Sequence, residues 1–149
     1  MALASVLAYF QSFVPGFREV DGGDCQQMAN MLFQPTTGLT ALAGGGQTGA
    51  TPLKIGLNRV DTCASDNDSV MLPPAIAGSR VVIYNNTGHT LAVFGQPANA
   101  GGGSSAGDTI AAANSNTQQP TATGITMATT VTSEFMCFVN GQWKQAYLS

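Results

Sequence analysis

The clearest pattern of apolar and polar residues lies between positions 80 and 94 of the chain. Two apolar runs, Arg80–Tyr84 and Thr90–Phe94, flank the polar stretch Asn85–His89. Val, Ile, Tyr and Phe suit the pleated, half-buried surface of a sheet, whereas Asn and Gly suit a chain reversal. A loop of this length that contains Gly predicts a β-hairpin, in which the two runs pair antiparallel. We expect the rest of the chain to build around this hairpin.

Further strands are predicted on both sides of it. Residues 54–64 alternate with period 2, so that Leu57 and Arg59 face one side while Asn58 and Val60 face the other. Shorter apolar runs follow at residues 70–72, 108–113 and 125–131. A total of about seven or eight runs predicts a mainly β fold, an antiparallel β-sandwich or jelly-roll.

The C-terminal end predicts a second hairpin. Asn140-Gly141 separates the apolar runs 134–139 and 142–148, and Asn-Gly between two such runs is the strongest short hairpin signal. Trp143 and Tyr147 fall on the same face of the last run. We expect these two large aromatic side chains to close the hydrophobic core.

The first part of the chain predicts helices rather than strands. Large apolar residues recur at helical spacing before the break at Pro15-Gly16, namely Leu3, Val6, Leu7, Phe10, Phe13 and Val14. Whether this segment packs on its own domain or lies on a neighbouring subunit stays open at the level of sequence. A second helix is predicted to begin after Asp21, which is a suitable N-cap, and to end before Pro35. Its apolar stripe consists of Cys25, Met28, Ala29 and Leu32.

Residues 34–52 are rich in Gly, Thr and Ala, and this composition predicts a linker or an extended loop. The run Gly44-Gly45-Gly46 is not interpreted as a phosphate-binding loop, because no Lys-Ser or Lys-Thr follows at the required spacing. The domain prediction is therefore an N-terminal arm over residues 1–52, with one or two short helices and a Gly-rich linker. The β-sandwich domain is predicted over residues 53–149.

Charged residues are scarce in this chain. They make up 9% of it, against roughly 25% in a typical soluble domain. A weakly charged surface suits extensive protein contact, although a small secreted or viral β-protein with no special partner would share this composition. The five basic residues are scattered and the net charge is −3, so we expect no binding to nucleic acid.

Neither a membrane span nor a signal peptide is predicted. No stretch approaches the ~20 consecutive apolar residues that cross a bilayer. The apolar start of the chain has no Lys or Arg ahead of it and is interrupted by Gln11. We therefore expect a protein that stays in the compartment where it is translated.

The sequence carries no catalytic or metal-binding signature. His89 is the only histidine, and it falls in the predicted turn with no nearby acid expected to orient it. Asp66, Asn67 and Asp68 form the only acidic cluster, but a calcium loop would need further oxygen ligands and a bidentate Glu. A polar turn over residues 65–69 is the preferred interpretation. We expect no enzyme activity, no metal, no cofactor and no small-molecule substrate.

The three cysteines, Cys25, Cys63 and Cys137, are odd in number and widely spaced. They form neither a metal-binding pair nor an even disulfide framework. Buried free thiols in a reducing cytoplasm are the preferred interpretation, since free Cys packs as a small apolar residue. A Cys63–Cys137 bridge between strands stays open.

Three segments resemble small structural proteins of tailed bacteriophages. They are NRVDTCASDNDSVMLPPAIAGSRVVIYNNTGHTLAVFGQ at residues 58–96, the terminal FVNGQWKQAYLS at residues 138–149, and FREVDGGDCQQMANMLF at residues 17–33. The resemblance lies in a polar turn before a V-x-L-P step, an Ala-Gly loop, a V-V-x-x-N-N strand, a second strand ending in Phe, and a terminal Trp strand. With the Gly/Ala-rich loops that lie between the second and the last segment along the chain, the resemblance covers about two thirds of the chain.

A free-standing chain of this size looks most like a capsid decoration (cement) protein. The resemblance implies a homotrimer on the outer capsid surface of the virion, made in the host cytoplasm, whose partner is the major capsid protein. Apolar and backbone contacts spread over several capsid subunits would stabilise the shell. The residues we expect to make subunit or shell contacts are Phe10, Phe13, Phe17, Met28, Met31 and Phe33.

The alternative function is a tail-fibre or receptor-binding module that recognises a host surface glycan. Such a module needs exposed aromatic side chains, for which Tyr84 and Trp143 are candidates, but both fall in predicted strands. A hydrolase of the tail is disfavoured because the sequence offers no catalytic group.

Overall fold

A computed structural model of the protein describes residues 34–98 and 106–148. These residues are mainly β and contain no helix. Their ten strands are β1 (Thr36–Thr40), β2 (Thr51–Pro52), β3 (Gly56–Thr62), β4 (Asp68–Met71), β5 (Arg80–Asn85), β6 (Leu91–Phe94), β7 (Thr109–Ala111), β8 (Ile125–Met127), β9 (Thr132–Val139) and β10 (Gln142–Leu148). No helix in the described ranges is long and apolar enough to cross a membrane.

The strands form two mixed sheets. The six-stranded sheet has the order β1-β3-β5-β9-β10-β7, and the four-stranded sheet has the order β2-β4-β6-β8. The first six strands alternate between the sheets, and within each sheet they pair parallel. The chain therefore makes three successive β-arches, β1–β2, β3–β4 and β5–β6, which stack on one another and which we call arches 1, 2 and 3.

The strands predicted at Arg80–Tyr84 and Thr90–Phe94 are present as β5 and β6, but the predicted hairpin between them is wrong. β5 lies between β3 and β9 in one sheet, whereas β6 lies between β4 and β8 in the other. The prediction of antiparallel sheets is wrong for the same reason, since five of the eight strand pairs are parallel. A connection that crosses between layers separates its two strands, and each then pairs with the equivalent strand of another arch.

The stretch expected to be a plain linker also contains strands. β1 and β2 lie within residues 34–52 and pair parallel with β3 and β4. β1 is an edge strand, and most of its residues are exposed. It therefore lacks the apolar alternation by which a strand is recognised in sequence. The predicted helices, and the contact residues from Phe10 to Phe33, lie outside the described residues.

Two local predictions are confirmed. β3 alternates as expected, with Asn58 and Val60 buried and Leu57 and Arg59 exposed. β9 and β10 pair antiparallel through Asn140-Gly141, where Gly141 has a φ of 79°. A positive φ is the conformation that Gly adopts most readily, which explains its place in this turn.

Buried side chains from both sheets belong to one hydrophobic cluster. Val60, Val81, Ile83, Phe135 and Trp143 contribute to it from the six-stranded sheet, and Val70, Leu91, Val93, Ile125 and Met127 contribute from the four-stranded sheet. Trp143 is fully buried, as predicted. The side chain of Tyr147 lies outside the described part of β10.

Candidate functional site

The acidic cluster at residues 66–68 joins neighbouring arches. Asp68 is buried, and its carboxylate accepts hydrogen bonds from the backbone N–H groups of Gly44 (2.9 Å), Ala64 (2.7 Å) and Ser65 (3.1 Å). Desolvation opposes its ionisation, but these bonds outweigh that effect and lower the pKa of Asp68. The predicted polar turn is present at residues 65–67, whereas Asp68 and Ser69 already belong to β4. Asp68 also links the turn to the loop that follows β1.

Asp61 connects all three arches on the outer side of the six-stranded sheet. Its carboxylate accepts from Asn86 Nδ2 in arch 3 (2.8 Å) and from the N–H of Gly38 in arch 1 (2.7 Å). Arg59 forms an ion pair with it at 2.8 Å. The hydrogen bonds from Asn86, Arg59 and Gly38 lower the pKa of Asp61.

His89 has an acidic neighbour, contrary to the expectation from sequence. Its Nδ1 lies 3.4 Å from Asp66 Oδ1, across the loops of arches 2 and 3. The two side chains are 45% and 65% exposed, so the pair lies at the surface rather than in a pocket. The described residues contain no group of three or more His, Cys, Asp or Glu residues that could hold a metal ion.

The cysteines in the described ranges are free thiols. Cys63 is partly buried and Cys137 is buried, and no disulfide joins them. Burial raises the pKa of both thiols, with a further contribution from the negative charge of Asp68 at Cys63 and of Asp108 at Cys137. Protonated thiols are poor nucleophiles, so this environment does not favour a reactive cysteine. Cys25 lies outside the described residues.

A shallow groove of about 270 Å³ lies on the outer face of the six-stranded sheet. We call it the sheet groove. Its walls come from β1, β3, β5 and the residue before β1, and include Pro35, Thr37, Leu57, Arg59, Val82 and Tyr84. Leu57 is 43% exposed and Tyr84 is 38% exposed. The groove is therefore an apolar surface open to solvent.

The charges beside the sheet groove are paired within the chain. Arg59 is bonded to Asp61, and Arg80 forms an ion pair with Glu134. Val82 and Glu134 are direct neighbours across β5 and β9. Because these arginines already have carboxylate partners, the described residues of the groove offer no free cation to bind a phosphate or carboxylate ligand.

A second apolar surface lies at one end of the six-stranded sheet, and we call it the apolar tip. It consists of Ile76, Phe138 and Val139, which are 57%, 70% and 56% exposed. Large side chains exposed to this degree leave most of their apolar surface in water, which is unfavourable. Beside Phe138, a shallow depression of about 300 Å³ is lined by Gly78, Ser79, Arg80 and Met136.

Hydrogen bonds fix the two segments of the apolar tip to each other. Gly78 N–H donates to the carbonyl of Cys137 (2.8 Å), and Cys137 N–H donates to the carbonyl of Ser79 (3.0 Å). Gly141 N–H donates to the carbonyl of Ala75 (2.8 Å). Asn140 Oδ1 accepts from the N–H of Ala77 at 2.8 Å. The two backbone segments of the tip are thus held together by four hydrogen bonds.

The structure separates the two aromatic residues considered for glycan binding. Trp143 is fully buried and cannot stack on a ligand, whereas Tyr84 is exposed in the sheet groove. The residues of the apolar tip were missed from sequence. The signal for them is the pair Phe138-Val139 before Asn140-Gly141, since two consecutive large apolar residues cannot both face the core of a β-strand.

Comparison of the chain with protein-family models, with curated proteins and with solved structures finds no match.

Proposed function

We propose that this protein is a capsid decoration protein. It binds the outer surface of a tailed-phage head as a homotrimer and stabilises contacts between major capsid subunits. Residues 17–33, 58–96 and 138–149 resemble small structural proteins of tailed bacteriophages, and this resemblance supports the assignment to that class of protein. The proposal includes a sandwich arrangement of the two sheets and a helical N-terminal arm. The structural observation that supports the proposed function most directly is the exposed apolar tip.

The apolar tip has the properties of a protein-contact surface. Ile76 and the pair Phe138-Val139 lie on two segments that hydrogen-bond to each other, so little ordering of the backbone is needed when they bind. Exposed apolar clusters on a small soluble domain mark sites of interaction. Aromatic side chains at the centre of such a cluster contribute most of the binding free energy, which favours Phe138 as the main contact.

Low charge fits the same mode of attachment. Charged residues are only 9% of the chain, and Arg59 and Arg80 are paired internally. Attachment through apolar contacts depends little on ionic strength, whereas surface ion pairs weaken as salt screens them. A trimer presents three copies of the tip to the shell, which raises the overall affinity through multivalency.

The test is binding of the purified full chain to expanded empty capsids of the same phage, measured by co-sedimentation. Replacing Phe138 and Ile76 by Ser should weaken binding roughly tenfold or more, since both side chains lie in the proposed contact. Ile55→Ser is the matched control, because Ile55 is 55% exposed but lies outside the tip. Wild-type affinity in the Phe138→Ser, Ile76→Ser double variant would contradict the proposal.

The alternative function, glycan recognition by a tail-fibre or receptor-binding module, is supported by Tyr84 alone. Its ring is exposed in the sheet groove next to Arg59, and an aromatic ring beside a polar group can stack on a sugar. This alternative predicts binding to host cells that is lost in Tyr84→Ala and unchanged in Phe138→Ser. The decoration function predicts the reverse pattern, with capsids as the target.

A further inference from the structure

We propose that arch 1 closes the free end of the stack of arches and prevents a second copy of the chain from pairing with it. This inference goes beyond the decoration function, since it concerns how the sheets of separate copies are kept apart. It gives Thr51 and Pro52, which belong to neither the sheet groove nor the apolar tip, a role in the association state of the protein.

Only one end of the stack is open within residues 34–98 and 106–148. At the arch 3 end, β9 pairs with β5 and β8 pairs with β6. At the arch 1 end, β3 is the one strand beside β1, and β4 is the one strand beside β2. An unpaired strand edge is where another chain can add to a sheet. Arch 1 is therefore the place at which the stack could be extended.

The carbonyl of Thr40 faces this open edge but already has a partner. Ala41 N–H donates to the carbonyl of Thr62 in β3 at 2.9 Å. A trans peptide unit directs its C=O opposite to its N–H, so the Thr40 carbonyl in the same unit points away from β3. Thr51 Oγ1 donates to that carbonyl at 2.6 Å. A strand from a second copy would have to displace this hydroxyl group.

Pro52 removes a donor from the same end of the four-stranded sheet. Leu53 N–H donates to the carbonyl of Met71 in β4 at 2.8 Å. Because successive residues of a strand direct their N–H groups to opposite sides, the backbone nitrogen of residue 52 faces the open edge. Proline has no N–H to offer there, which is why it is tolerated in edge strands. In addition, β2 is only two residues long.

β1 is irregular, which also disfavours pairing with a further strand. Its register with β3 shifts on both sides of Leu39, and Gly38 has a φ of 73°. Gly38 N–H donates to Asp61 Oδ2 at 2.7 Å, so this donor is used within the chain. Bulges and short edge strands are known ways in which sheets avoid edge-to-edge association. Both strands of arch 1 thus carry features that oppose addition.

A second copy could approach the open end only with its own arch 1, because β8 and β9 cover arch 3 in every copy. Two identical ends meet about a two-fold axis, which places β1 beside β1 and β2 beside β2 in antiparallel orientation. Such a contact is closed and does not continue to a third copy. Opening the edge should therefore produce pairs rather than fibres.

The experiment opens the edge of the full chain and measures mass by light scattering after size exclusion. The variant Thr51→Val, Pro52→Thr frees the Thr40 carbonyl and restores an N–H at residue 52. The fraction that elutes at twice the wild-type mass should rise roughly tenfold. In that species, hydrogen exchange of residues 36–40 should slow, because β1 gains a partner. Thr123→Val is the matched control and should elute like the wild type, since Thr123 is exposed and lies outside arch 1.

An unchanged mass of the double variant would overturn the proposal. So would association that leaves the exchange of residues 36–40 unaltered, or equal association of Thr123→Val. If the double variant does not fold, as judged by circular dichroism, Thr51→Val alone replaces it in the same measurements. Because no capsid is present and the apolar tip is intact, failure here is distinct from failure of the decoration function.

Discussion

Asn85 is buried at the end of β5, and both polar atoms of its side chain have partners. Its Nδ2 donates to the carbonyls of His89 (2.8 Å) and Ala128 (2.9 Å). Its Oδ1 accepts from the hydroxyl of Thr87 at 2.7 Å. These bonds hold the loop between β5 and β6 open as an arch and tie it to the segment that precedes β9.

The substitution Asn85→Ala should lower the free energy of unfolding by about 3 kcal/mol, because it leaves several buried polar groups without partners. Chemical denaturation followed by circular dichroism measures this change. Asn116→Ala is the control, since Asn116 is exposed, and it should cost less than about 0.5 kcal/mol. Equal effects of the two substitutions would show that the arch does not depend on Asn85.

At the scale of elements, carboxylates join the three arches. Asp61 and Asp68, both in arch 2, accept from the backbone of arch 1, and Asp61 also accepts from arch 3. Asp66 accepts from the N–H of Thr90 in arch 3 at 2.9 Å. The sequence predicts a turn from these residues, because Asp and Asn bond to nearby backbone. It does not reveal the bonds to residues more than 20 positions away.

These carboxylates predict how stability depends on pH. Hydrogen bonds lower the pKa of Asp61, Asp66 and Asp68 below 3.8, so their stabilisation is complete above that pH and is lost as pH falls through the lower values. Burial raises the pKa of Asp108, which has the opposite sign: its ionisation costs stability at neutral pH, and protonation relieves that cost. The Tm should therefore hold or rise on mild acidification and fall steeply below about pH 4.

A thermal melt series from pH 7 to pH 2 checks this profile in the wild type and in Asp68→Asn. At pH 6 the variant should melt several degrees lower, because an amide cannot accept from all three backbone N–H groups. Its loss of Tm below pH 4 should be smaller, because one of the titrating groups is gone. Parallel curves for the two proteins would exclude Asp68 as a source of the acid transition.

The positions of most strands follow from sequence, but their partners do not. Period-2 alternation identifies residues 56–62, and short apolar runs identify residues 80–85 and 91–94. Both patterns occur in a hairpin and in an arch, so neither tells which strand lies alongside. Asn140-Gly141 is the exception, because this turn itself requires that the two flanking strands pair.

The two candidate surfaces also differ in whether the sequence reveals them. The apolar tip leaves a signal in Phe138-Val139, which breaks the expected alternation beside a turn. The sheet groove leaves none, because its wall combines Pro35, Leu57 and Tyr84 from three strands or their flanks, up to 49 positions apart. Parallel stacking of the arches brings them together, and that stacking is the feature the sequence did not predict.

At the level of the whole molecule, the apolar tip and the sheet groove are separate surfaces. The apolar tip comprises residues of the β9 end and the loop before β5, whereas the sheet groove lies on β1, β3 and β5. The two surfaces share no residue. Substitutions in the apolar tip should therefore weaken capsid binding in the proposed function, whereas substitutions in the sheet groove should leave it unchanged.

The stacking of the arches also predicts the order in which the sheets open. β5 has neighbours on both sides, β3 and β9, and its inward residues Val81 and Ile83 are fully buried. β1 has one neighbour and an irregular register, and most of its residues are exposed. Local opening should therefore begin at β1 and reach β5 only on global unfolding.

Hydrogen exchange of the full chain, followed by mass spectrometry at low protein concentration, measures this order. Peptides that cover residues 81–84 and 133–137 should exchange most slowly, and those that cover residues 36–40 at least tenfold faster. Equal protection of β1 and β5 at low concentration would contradict the stacked arrangement, in which arch 1 is the outermost unit.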